Sequence, residues 1–168
     1  MNSYIEEENV STFSIAAYVH SKKGTIRVEN EELAFIRLRN KQFMLQVSNK
    51  ELFININHRV FVCSRNGKHF DKSDILNINN SSSHLGCLSN CVVKDTDQEN
   101  LKLVYFTTNL RFDELIILRH FEVSLLNLCS KAEKVIKSLE DSDFIAFTDE
   151  DLASMNEQDE SVEQNTAT

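Results

Sequence analysis

Apolar residues change their spacing several times along this chain, and each change marks an element. Between Val10 and Lys23, Phe13, Ala16, Ala17 and His20 recur at helical spacing, with Val19 loosely on the same side. Ser11 or Thr12 can cap this first helix, and Gly24 stops it after Lys22 and Lys23. The period then falls to two. Leu33 to Arg39 reads as a first strand. Phe43, Leu45 and Val47 alternate with Gln42, Met44, Gln46 and Ser48 in a second. Leu52, Ile54 and Ile56 lead a third, which runs on through Val60, Val62 and Cys63. The links at Asn40-Lys41 and Ser48-Asn49-Lys50 are of hairpin length, so the three strands form an antiparallel meander.

After the turn signal Asn66-Gly67, Asp71 to Asn77 forms a short helix around Ile75 and Leu76. Leu85 to Val93 and Leu101 to Thr107 are two further strands, joined by a polar turn. Asp113 to Leu139 is the strongest element, a long helix with an apolar stripe of Leu115, Leu118, Phe121, Leu125, Leu128, Ala132, Val135 and Leu139. Asp113 and Glu114 in its first turn, and Lys134 and Lys137 near its end, suit the helix dipole. The expected fold is therefore α+β. It has an antiparallel sheet of about five strands, an N-terminal helix, a short middle helix and a long C-terminal helix.

Charge divides the chain. From Glu140 onward there are ten Asp or Glu residues and no Lys or Arg, whereas the residues before it carry 18 cations against 16 acids. The net charge of −8 thus belongs to the tail, and the body is near neutral. Residues 1–9 are polar and acidic, with no signal-peptide pattern, and are expected to be disordered. Residues 10–139 form a single α+β domain. Residues 140–168 form an acidic, largely disordered tail, preceded by a small apolar patch of Phe144, Ile145, Phe147 and Leu152. A near-neutral body argues against nucleic-acid binding, and no apolar run approaches the length of about 20 residues needed to insert in a membrane.

Catalytic chemistry finds little purchase. The chain has no proline and three glycines, and it shows neither a phosphate loop nor a nucleophile elbow. His84, Cys87 and Cys91 have zinc-like spacing, but no second pair completes a four-ligand site, so no metal and no cofactor are expected. The cysteines read as buried thiols of a reducing cytosol. Asp149-Glu150-Asp151 is a solvated acidic run. Arg37, Arg39 and Lys41 alternate at a hairpin and offer either an anion site or a solvated strand face. Apolar residues of both parities in the first strand are the remaining signal. One parity must face away from the long helix, where it is either covered by the N-terminal helix or left as an interface.

The order and residues of these elements resemble the class I type III secretion chaperones, small bacterial proteins that escort secreted effectors. The likeness is carried by the opening helix Thr12-Phe13-Ser14-Ile15-Ala16-Ala17-Tyr18, the meander from Leu33 to Ile56, and the link Ile75-Leu76-Asn77. Gly86 opening the fourth strand, the fifth strand Leu101-Lys102-Leu103-Val104-Tyr105-Phe106 with Asn109-Leu110, and the final helix complete it. It covers roughly residues 11–139. The resemblance implies a cytoplasmic, non-enzymatic homodimer that holds the unfolded N-terminal segment of an effector and keeps it secretion-competent.

On that view the partner site is expected on the outer face of the meander beside the N-terminal helix, at Phe13, Ile36, Leu38 and Phe43, flanked by Arg37 and Arg39. The dimer interface is expected at Ile75, Leu76, Leu85 and Leu88. A second reading is a pleckstrin-homology-like lipid- or peptide-binding module, with Arg37, Arg39 and Lys41 as its anion site.

Overall fold

The computed structural model describes residues 4–38, 41–82, 90–148 and 151. Among these residues the molecule is an α+β domain built on an antiparallel sheet and three α-helices. The first helix, α1 (Thr12–Ser21), begins where Ser11 accepts from the backbone N–H of Ser14 and the Ser14 side chain answers it, a reciprocal cap. Its buried stripe is Thr12, Ile15 and Val19. The expected stripe was the neighbouring one, and Phe13 is in fact 57% exposed. Alanines at positions 16 and 17 fit either face, so spacing alone did not fix the rotation.

The main sheet has seven strands, not about five. Along it run β2 (Thr25–Val28), β3 (Leu33–Leu38), β4 (Lys41–Ser48) and β5 (Phe53–Ser64), followed by β7 (Leu101–Arg111) and β6 (Asn90–Asp95) at the far edge. The seventh strand, β9 (Phe144–Phe147), pairs with β5. The added strands are β2 and β9, each four residues long and too short to display an alternation. β4 occupies one side of β5 at Phe53–Asn57, and β9 occupies the same side at Phe61–Ser64. The other side of β5 is taken by β7 from Phe53 to Cys63. A notch is left between β4 and β9, opposite His58, Arg59 and Val60.

The middle helix, α2 (Lys72–Ser82), is longer than the expected Asp71–Asn77. The last helix, α3 (Leu118–Glu140), starts later than Asp113. Glu114 has a φ of 63° and turns the chain, and Leu115–Ile117 then forms β8, paired with β1 (Tyr4–Glu6). Leu115 therefore leaves the core stripe and is 38% exposed. Residues 4–9, expected to lack structure, hold β1 and a 3-10 turn at Glu7–Asn9, tied down where the Glu7 N–H donates to the Glu114 carbonyl at 2.8 Å.

One core joins all three helices to one face of the sheet. Ile15 and Val19 of α1, Ile75 of α2, and Phe121, Leu125, Leu128 and Val135 of α3 meet Ile36, Phe43, Leu45, Ile54, Ile56, Val60, Val104 and Phe106 there. Burying each such side chain contributes about 1.5–3 kcal/mol relative to leaving it in water. The Cβ of a residue larger than Gly24 would lie 2.6 Å from Val19 Cγ1 and 3.0 Å from the Arg37 carbonyl oxygen, so glycine lets the end of α1 close onto β3.

Candidate interaction surface

Because the side chains of a strand alternate, the inward set above fixes an outward set. Cross-strand register aligns the outward residues in rows. Arg27, Phe35, Met44, Asn57 and Thr107 make one row. Arg59, Tyr105 and Val92 lie in the next, and Phe147, Phe61, Leu103 and Lys94 in the one beyond. No helix packs over these rows among the described residues. Phe35, Met44, Tyr105, Phe61 and Phe147 are half-buried by their neighbours, and Val92 and Ile145 are exposed.

Local contacts order this face. The Phe61 and Phe147 rings stack with centroids 5.8 Å apart. The Arg27 guanidinium lies 4.9 Å from the Phe35 ring, and the Lys94 ammonium 5.2 Å from the Tyr105 ring. Toward the other end of the strands the face becomes polar. There the Asn55 amide donates to Thr107 Oγ1 at 3.2 Å and to Asn109 Oδ1 at 2.5 Å, and the Asn57 amide donates to Asn55. The notch beside β5 opens a small recess lined by Phe35, Met44, Arg59, Tyr105 and Thr148, with His58 at its base. It adjoins a shallow cleft of about 460 Å³ bordered by Arg27, Phe35, Arg37, Gln42 and Arg59.

The sequence expectation for this site is corrected in its parity. Ile36 and Phe43 are 1% and 2% exposed core residues, covered from the helical side. Leu38 is half-buried and packs on the same core. Phe13 is exposed on α1, away from the sheet's open face. Both helices that were set against opposite faces in the sequence reading share one face. Of the expected group only Arg37 points outward, and Arg39 lies outside the described residues. Of the anion site and the solvated strand face left open for the basic residues, the described pair Arg37 and Lys41 does not favour the anion site, because the two lie on opposite faces. Lys41 pairs in register with inward Leu38, and its ammonium reaches Glu133 of α3 at 3.4 Å. Ile75, expected at a dimer contact, is fully buried within the chain's own core, and Leu76 is half-buried against it. Leu85 and Leu88 lie outside the described residues.

The residues that the open face does present, Phe35, Met44, Tyr105, Arg27 and Arg59, were not singled out from the sequence. Their signal was available in the even spacing of Leu33, Phe35 and Arg37, once Ile36 is taken as inward. Arg59 sits in a strand whose apolar alternation drew attention to its other side.

Titratable groups in and near the core are placed for structure. Burial pushes the Cys91 thiol up to about 11 and raises that of Cys63, which keeps both protonated near neutrality. Burial, with a hydrogen bond to the Glu122 carboxylate at 2.9 Å, pushes the Tyr18 hydroxyl up to about 12. Burial lowers the His58 imidazole below its usual range, and its Nδ1 lies 2.8 Å from the Gln42 carbonyl oxygen. The buried Lys102 ammonium donates to the Glu99 carbonyl at 3.1 Å and meets Asp95 at 3.3 Å, while Lys72 of α2 meets Asp95 at 2.6 Å. These two cations, through hydrogen bonds led by that from Lys72, hold the Asp95 carboxyl below its ordinary range and clip α2 to β6 and β7. Among the described residues no group of three or more His, Cys, Asp or Glu could hold a metal ion. His84 and Cys87 fall outside them.

No protein-family model matches the chain, and no curated protein matches it. Among solved structures it is similar to the crystal structure of YbjN from E. coli, described as a proposed transcription regulator, with a TM-score of 0.55 at 11% identity. That likeness covers 80% of this chain and 95% of the other, and at such identity it speaks to the fold alone.

Proposed function

We propose that this protein is a non-catalytic chaperone that holds an extended segment of a client protein across the open face of its sheet. The observation that carries the reading is the placement of all three helices on one face, which leaves Phe35, Met44, Tyr105, Phe61 and Phe147 half-exposed on the other. A run of half-exposed aromatic and apolar groups is a poor surface for water alone and a good one for an extended peptide. The edges of β2 and β6, unpaired among the described residues, add places where a strand can dock by backbone hydrogen bonds. With the resemblance to class I type III secretion chaperones, the client becomes the unfolded N-terminal part of a secreted effector, and the setting the bacterial cytoplasm. The chain acts as a homodimer joined through Leu76 of α2 and the Leu85 and Leu88 positions that follow it in the sequence. Among the described residues no helix is long and apolar enough to cross a membrane.

Arg27, Arg37 and Arg59 around one cleft favour a second reading, an anion-binding module of the pleckstrin-homology type. Strand number no longer separates the two. The single open sheet, with a helix preceding it, sits better with the chaperone. Co-expression with adjacent genes, followed by hydrogen exchange on the purified complex, tests the first reading. Slower exchange along β2 and the exposed ends of β3 and β4 on client binding is expected. Protection confined to α1 and α3, or a monomer of 19.3 kDa that binds anionic vesicles and no client, would overturn it.

A further inference from the structure

The outward positions of the seven strands hold Arg27, Arg37, Arg59, Lys94 and Arg111 and not one Asp or Glu, in a chain whose net charge is −8. Residues 149–168 hold seven Asp or Glu and no Lys or Arg. The fold delivers the start of that acidic segment to the basic face. β9 runs antiparallel to β5 with Phe147 opposite Phe61, so the chain heads along β5 toward Arg59. β4 blocks its path within the sheet, and Thr148 lines the recess formed by the outward side chains Phe35, Met44, Arg59 and Tyr105. Asp151 turns back there, accepting from the Thr148 N–H at 2.7 Å and its hydroxyl at 2.8 Å. Beyond the recess lies the cleft with Arg27 and Arg37. Crossing from β5 to β2 takes three strand spacings, about 15 Å in all. Twenty extended residues reach roughly 65 Å, so the segment spans the face with length to spare.

We propose that the acidic segment 149–168 docks on this basic, aromatic face as its internal occupant. The segment is held by charge and has few apolar side chains to bury. Exposed ion pairs are individually weak and screened by salt, which makes the cover reversible. The proposal goes beyond the chaperone reading, since it needs only the face and the chain's own segment. A basic face with Phe35 and Tyr105 can also stack single-stranded nucleic acid. The acidic run starting at the lip of the recess favours the internal occupant.

The chain's three methionines provide the test, because Met44 lies on the face and Met155 in the segment. Methyl spectra of the full chain are compared with those of a full-length form in which Asp149, Glu150, Glu157, Asp159, Glu160 and Glu163 are replaced by the matching amides. Asp151 is kept so that its bonds to Thr148 stay intact. The Met44 signal is expected to shift on neutralisation, and about 0.5 M salt should move the unaltered chain to the same position. Conversely, Arg37→Glu with Arg59→Glu should shift Met155. Thermal melting checks that each form is folded. A Met44 signal that ignores the tail charges, with a Met155 signal that ignores the arginines, overturns the proposal. So does an equal shift of both forms on adding oligodeoxythymidylate, while a larger shift in the neutralised form supports it.

Discussion

His58 is an imidazole set between the Phe43 and Phe106 rings, with centroids 5.6 and 6.4 Å away. Its burial means that the folded chain takes up a proton at this site less readily than the unfolded chain, whose imidazole titrates near 6.5. Below about pH 6.5 the unfolded state binds more protons, so stability falls as the pH drops toward the lowered value of the folded state. The wild-type melting temperature is expected to fall between about pH 7 and 5, and His58→Gln, whose amide can still donate to Gln42, should flatten that fall. Asp95 acts in a separate window, since its depressed carboxyl gives up its contribution only below about 3.8. Equal slopes for the two proteins would mean that His58 is not the group responsible. Gly24 is the other residue whose identity is forced. Gly24→Ala puts a carbon against Val19 and the Arg37 carbonyl and should cost about 1–3 kcal/mol in denaturant unfolding. A neutral result would show that α1 can draw back at little cost.

Among the elements, those with a long, one-sided pattern were legible. The alternation in β4 and β5 and the stripe of α3 from Leu118 onward lie where the spacing put them. What was not legible depended on facts a period does not carry. β2 and β9 are too short to alternate, and β8 occupies what looked like the first turn of α3 because Glu114 takes a left-handed turn and β1 pairs there. The deeper miss concerned cover. Both apolar parities of β3 were visible, but the number of helices on each face was not, and assigning them to opposite faces put Ile36 and Phe43 on the surface. Helix α1 shows the same ambiguity in small. Ile15 is fully buried and Phe13 is not, so Ile15→Ala should lower stability by about 2–4 kcal/mol and Phe13→Ala by no more than about 0.5. Chemical denaturation of the two variants reads this directly, and the reverse order would restore the stripe that spacing suggested.

Taken together, the chain builds an asymmetric slab. One side is a closed core roofed by α1, α2 and α3, and the other is a sheet face that no helix covers among the described residues, whose outward strand charges are all positive and whose middle rows are aromatic and apolar. A client segment on that side gains apolar contact from Phe35, Met44 and Tyr105 and registers its polar groups against Arg27, Arg37 and Arg59. Since those side chains are half-exposed, altering them should disturb binding more than folding. The chaperone account therefore stands or falls on a comparison of wild type with Phe35→Ser, Met44→Ser, each co-expressed with adjacent genes and assayed for a copurifying client. The account predicts that wild type retains a client and that the double variant loses it while melting within a few degrees of wild type. A client held equally by both proteins, or none held by either, would contradict it.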